Sequence, residues 1–459
     1  MGAGMMRRFL LPLCVMLGAC MPVAPHDTVS RAAPAGDSAL PPIKSFARAQ
    51  PKAPIAANSD IARDFLDLAF TLESGRRLPY FSRFEGPVSL RVTGAAPAHL
   101  GADLDAVLHR LRTEAGIAIA RTDAPGANIT IQAVSRAEIQ KNLPQAACFV
   151  VPNISDLSEY AGARRTQRTD WARITQRQKL AIFLPNDTSP QEVRDCLHEE
   201  LAQALGPLND LYRLSDSVFN DDNMHTVLTG FDMLILRVFY SPQLRSGMTR
   251  AEVAARLPAI LAQLNPAGQS RLPQRRDATP RSWVATVQQA LGPGTPPQGR
   301  LAAARSALNI ARVMGWYDHR MGFSHYAMGR ILQADHPAEA RLQFQAAYHI
   351  YSQLPDCDLH MAYVSAALAA YALADGDAPA ALALIAPAEA SAAQHENAAL
   401  LAQLLMLRAE ALDLTGRSTE AEAVRLDSLG WARYGFGADW AVRAKLREVA
   451  ALNPLKGRS

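Results

Sequence analysis

Apolar residues first fall into helical register at Ile61, Phe65, Leu66, Leu68, Ala69 and Leu72, which predicts an amphipathic helix ending before Glu73-Ser74-Gly75. The pattern then shifts to alternation at Pro87–Val92, a strand, and back to helical spacing at Leu104, Val107, Leu108 and Leu111. Short apolar runs at 117–119, 129–131, 149–151 and 180–184 predict further strands. A long helix follows. It opens at Thr188-Ser189-Pro190, a hydroxyl N-cap with Pro in the first turn, and stops at Gly206. From Arg300 the chain becomes an Ala- and Leu-rich helical sequence with internal similarity. Asp335, Gly376 and Gly416 are spaced by 41 and 40 residues, and each is followed five residues later by a small residue, Ala340, Ala381 or Ala421. Tyr326, Met328, Ile331 and Leu332, then Phe344, Tyr348 and Tyr351, then Tyr363, Leu368 and Tyr371 keep helical spacing and are expected to be core.

Two stretches break this regularity. Residues 20–58 are rich in Ala and Pro and predict an extended tether; residues 263–299 carry Asn265-Pro266-Ala267-Gly268 and Gly292-Pro293-Gly294 and predict a linker. The expected organisation is a signal segment 1–19, the tether 20–58, an α+β domain 59–262, the linker 263–299 and all-α repeats 300–453. The N-terminal segment carries Arg7 and Arg8 before an apolar run from Phe9 to Leu17, shorter than the roughly 20 residues a permanent span needs. Leu17-Gly18-Ala19-Cys20 resembles a bacterial lipobox, which makes Cys20 the expected acylation site and the membrane an expected partner. The expected location is the cell envelope, facing the periplasm, and Met21 after Cys20 resembles lipoproteins sent to the outer membrane.

Charge adds little to this picture. With 47 Lys and Arg against 43 Asp and Glu in 459 residues and no basic block, a nucleic-acid partner is not expected. Of five cysteines, Cys148 in a strand-like run and Cys196 near a helix start are the favoured disulfide in an oxidising compartment, the alternative being two buried thiols.

The long helix carries the candidate chemistry. His198-Glu199 fails as the start of a zinc-binding HExxH, because Ala202 stands where the second His is needed. Shifted by one, Glu199-Glu200-x-x-Gln203-x-x-Gly206-x-x-Asn209-Asp210 resembles the metzincin motif, with Glu200 at the general-base position and Glu199, Gln203 and Asn209 where histidines belong. Met224 resembles the Met-turn residue, and Leu228-Thr229-x-x-Asp232 the capped helix that closes such domains. Together with Ser82-Arg83-Phe84-Glu85-Gly86-Pro87, this resembles the family of domain of unknown function 2927, whose likeness to metzincins is one of fold and implies no reaction.

The resemblance implies a metzincin-like mixed sheet with an active-site-type helix. The C-terminal half is similar to a tetratricopeptide-like solenoid, although its period exceeds the usual ~34 residues. Amide ligands suit zinc poorly, so no cofactor is expected. The alternative is a divalent metal ion held by Glu199, Gln203, Asn209 and Asp210, with Asp221, Asp222 and His225 nearby. The functional expectation is an envelope adaptor whose repeats bind another protein or a peptide. A metal-dependent hydrolase using Glu200 as base is its rival.

Overall fold

The computed structural model describes residues 40–46 and 51–456. Cys20 and the signal segment lie outside them. The α/β half begins with α1 (Asn58–Phe70) and continues through β1 (Val88–Gly94), α2 (Leu100–Thr113), β2 (Ile119–Arg121) and β3 (Ile129–Val134). Two short helices, α3 (Arg136–Asn142) and α4 (Leu157–Ala163), flank β4 (Phe149–Pro152). Then come β5 (Leu180–Pro185), the long α5 (Pro190–Leu205), α6 (Gly230–Phe239) and α7 (Arg250–Leu264).

The sheet order is β2-β1-β3-β5-β4, with β4 alone antiparallel. Every residue of β5 is buried, as expected of a parallel strand covered on both faces. Edge strand β4 is tied to α5 by the Cys148–Cys196 disulfide, with Cα atoms 5.9 Å apart.

The ends of α5 are fixed by local chemistry. Ser189 accepts from the Glu192 amide and Pro190 fills the first turn. At the other end the buried Arg177 guanidinium donates to the carbonyls of Gln203 at 2.6 Å and Ala204 at 2.8 Å, and to that of Gly206. These are the carbonyls a helix terminus leaves without partners. Gly206 is required by close approach, since a Cβ there would lie 2.9 Å from the Phe239 ring.

The C-terminal half is all helical: α8 (Arg281–Leu291), α9 (Pro297–Val313), α10 (His319–Leu332), α11 (Pro337–Ser352), α12 (Asp358–Ala374), α13 (Ala378–Gln394), α14 (Ala398–Leu414), α15 (Ser418–Phe436) and α16 (Asp439–Ala450). Short turns join α10 to α11, α12 to α13 and α14 to α15, and Ala340, Ala381 and Ala421 are fully buried on the second helix of each pair. Tyr326, Phe344 and Tyr351 are core residues. None of the helices among the described residues is long and apolar enough to cross a membrane.

Helices α10 and α11 approach closely at Gly329, where a Cβ would stand 2.7 Å from the Phe344 ring. Gly329→Ala is therefore expected to lower stability by about 1–3 kcal/mol, the usual cost of overpacking. Denaturant unfolding checks this, and an unchanged midpoint would show that the ring has room to move.

Two stretches expected to be irregular are not free. Within 263–299, α8 buries Trp283 completely, its indole N–H donating to Ser324 at 3.0 Å. Ahead of it, Arg320 holds the Asp277 carbonyl and the Thr279 hydroxyl, both at 2.9 Å. One buried Trp on an amphipathic turn outweighs the surrounding Pro and Gly. The described end of the tether is likewise docked as a strap. Phe46 stacks on Trp431 with centroids 4.5 Å apart, Arg433 holds the Pro41 carbonyl at 2.7 Å, and Lys44 pairs with Asp427. From Leu40 onward the two halves form a single compact unit.

Candidate functional site

The site is built on one face of α5. Glu199, Glu200 and Gln203 project from it, and the loop beyond Gly206 returns with Asp210 and Asp221. Glu73, from the exposed loop after α1, lies near enough to Asp210 and Gln203 to interact with them electrostatically. Five carboxyl groups thus gather around one helix. Burial raises each of them above its ordinary value. The Glu199 carboxyl is pushed up to about 8 by burial and then by Asp221, Glu73 and Asp195. Burial, reinforced by Glu199 and Glu73, carries Glu200 well above the carboxylic range, and Asp210 follows for the same reasons. One carboxylate oxygen of Glu200 and one of Asp210 are buried without a hydrogen-bond partner. A like-charged cluster out of water relieves itself by keeping protons.

The expected ligand set is only partly assembled. Asn209 donates its side-chain amide to the Asp67 carbonyl at 3.1 Å, near the end of α1. His198, out of register in the motif, is buried with Nδ1 accepting from the Leu228 amide at 3.3 Å, so it is a packing residue. Asp221 joins the cluster, with its carboxylate taking the Tyr212 hydroxyl at 2.8 Å and the Gln288 amide at 3.2 Å. Asp222 and His225 belong elsewhere: Asp222 pairs with His360 at 3.0 Å, and His225 packs against His395 with centroids 4.9 Å apart. Met224 is buried in the same apolar cluster as Tyr212 and Trp283, part of the helical array's core.

No group of three His, Cys, Asp or Glu side chains among the described residues is placed to hold a metal ion. The donor set is also unlike the zinc site that the motif resembles, since Gln203 and Asn209 offer amide oxygens where imidazoles belong.

The other face of α5 is taken by the helical array. Gln191 bonds Asn397 at 3.2 Å and accepts from the Ala399 amide at 2.8 Å. Arg194, almost fully buried, donates to the Glu396 carbonyl at 2.7 Å and lies over the Tyr434 ring at 5.4 Å. Tyr434 in turn donates to Asp103 at 2.9 Å. Farther along the seam, His319 meets the Tyr212 carbonyl at 2.7 Å.

With this geometry in view, the comparisons with known proteins narrow the reading to one stretch. Residues 58–259 match the model of a family described as "Protein of unknown function (DUF2927)". No curated protein and no solved structure matches the chain. The DUF2927 stretch runs from the start of α1 into α7, so it holds the sheet, α5 and the whole carboxyl cluster. Glu73 and Arg177 also belong to it, and sequence reasoning passed over both. Their only signal was a charged residue in a loop, which local periodicity does not weigh.

Proposed function

We propose that this protein is an envelope lipoprotein, anchored through Cys20 to the outer membrane and facing the periplasm, that serves as a protein-binding adaptor or assembly factor. In this reading the DUF2927 region is a metzincin-like domain without peptidase activity. The helical hairpins act as a tetratricopeptide-like solenoid that receives another envelope protein or a peptide.

The observation that carries the reading is the state of Glu200. A general base must be ionised near the working pH and must reach the substrate. Glu200 is buried beside other carboxyls, which raises its affinity for a proton. The mixed sheet leading directly into the long α5 supports the metzincin likeness, and the fully buried Ala of each hairpin supports the repeat reading.

Complementation of a deletion strain tests the proposal. Glu200→Gln is expected to restore the wild-type phenotype fully. Photo-crosslinkers at Tyr317 and Trp440, apolar residues exposed at 91% and 75% on the array, are expected to trap one defined envelope protein. Failure of Glu200→Gln to complement while the protein accumulates normally would favour the metal-dependent hydrolase instead.

A further inference from the structure

A second site lies away from the carboxyl cluster. A cleft of about 320 Å³ opens where the strap residues 51–53 and 55, the entry to α6 at 227–230, the turn before α12 and the turn between α13 and α14 meet. That volume is at the small end of ligand sites, which run from about 300 to 1,000 Å³. Part of its wall is apolar, from Pro51, Ala53, Ile55, Val227 and Leu228. Seven ionisable side chains line the remainder, and their pairing is uneven.

The three basic side chains are already engaged. Lys52 and His395 both fall on Asp358, at 2.8 and 3.3 Å. Arg110 holds Glu114 through two contacts at 2.8 and 3.0 Å. Of the acids, Asp358 is thereby neutralised, and Glu396 faces Arg194 at 3.7 Å. Asp216 and Asp356 remain. Among the described residues no Lys or Arg comes within ion-pair distance of either, and the closest basic atom to Asp216 is His225 Nδ1 at 3.8 Å. Both carboxyls also line the neighbouring cleft beside Arg276, whose guanidinium is directed to the Arg213 carbonyl at 3.1 Å and the Ser215 hydroxyl at 3.0 Å. His225 itself is buried, its Nε2 has no partner, and it packs edge-on against His395 of the lining.

Burial penalises the two free carboxylates, pushing Asp216 up to about 7 and raising Asp356. A cation entering the cleft would remove that penalty, whereas an anion would add to it. An anion would have to compete with Asp358 for Lys52 and with Glu114 for Arg110.

We propose that this cleft binds a small organic cation, a primary ammonium on an apolar stem, with Asp216 and Asp356 receiving the ammonium and the Pro51, Ala53 and Val227 wall taking the stem. The site needs both halves of the chain and the strap, so it exists only in the assembled unit. It is independent of whether the protein acts as an adaptor.

Isothermal titration of the full exported chain with n-pentylamine tests this, with valerate as the anion of matched stem. Saturable binding of pentylamine and none of valerate is expected. Asp216→Asn/Asp356→Asn should weaken it about tenfold or more, as loss of charge-assisted contacts does. Asp105→Asn, at an exposed pair outside the cleft, should leave it unchanged. Should the double variant fail to fold, Asp356→Asn alone, on a surface turn, is expected to weaken binding several-fold. Absence of saturable pentylamine binding, equal affinity in the folded carboxamide variants, or binding of valerate in its place would each overturn the proposal.

Discussion

Raising the pH from about 5 to 9 is expected to destabilise this protein progressively, and Glu199→Gln is expected to flatten that loss. The Glu199 carboxyl is held at about 8, against 4.5 for the free side chain. The folded state therefore keeps a proton that the unfolded chain releases. The resulting stability is fully present below about pH 4.5 and is lost as the pH climbs through 8. Each retained proton contributes a slope of up to about 1.4 kcal/mol per pH unit in that window. Glu200 and Asp210, shifted the same way, steepen it. Replacing Glu199 by its neutral isostere removes one proton from this linkage, so thermal melts should nearly coincide at pH 5, with the variant melting higher at pH 9. If Glu199 instead served as an ionised ligand, the variant would melt lower at pH 8, where the wild type would gain from its metal.

The second large effect is on the edge of the sheet. Cys148→Ser/Cys196→Ser is expected to cost about 4 kcal/mol, the chain-entropy value for closing a 48-residue loop. For a unit of about 420 residues that is a fall of roughly 5 °C in Tm. The loop contains β5 and the short helix α4, so the bond confines that strand and the site helix together. Unfolding of the oxidised and reduced forms of the wild type provides the parallel measurement. A loss under about 1 kcal/mol would mean that β4 is held by its pairing with β5 alone.

Local signals in the sequence were enough to place α5. Its cap at Ser189, the Pro at 190 and the stop at Gly206 involve neighbours a few residues apart, and so does the Thr229–Asp232 capping box that starts α6. The buried Ala at 340, 381 and 421 were legible for a similar reason, because a repeat prints the same packing demand at a fixed interval. Cys148 and Cys196 could be paired since each sits on an element with its own pattern. What remained hidden depends on contacts distant in sequence. Glu73 meets Asp210 across more than a hundred residues, and Arg177 closes the end of α5 from the loop before β5. Nothing local distinguishes either from a solvated surface charge. The seam was equally illegible: His360 looks like any core histidine until Asp222 arrives beside it, and an Ala- and Pro-rich strap shows no sign that Phe46 will stack on Trp431. The spacing that suggested Asn209 as a ligand also lets its amide N–H bond the end of α1.

The central claim is that α5 carries a closed, proton-sharing carboxyl cluster where the motif implies a catalytic metal. Its most direct test is the metal content of the chain from residue 59 to the C-terminus, exported to the periplasm and measured by inductively coupled plasma mass spectrometry alongside Glu199→Ala/Gln203→Ala. The account predicts no near-stoichiometric metal in either protein, with both folded. A metal close to one per chain in the wild type that disappears in the variant would contradict it.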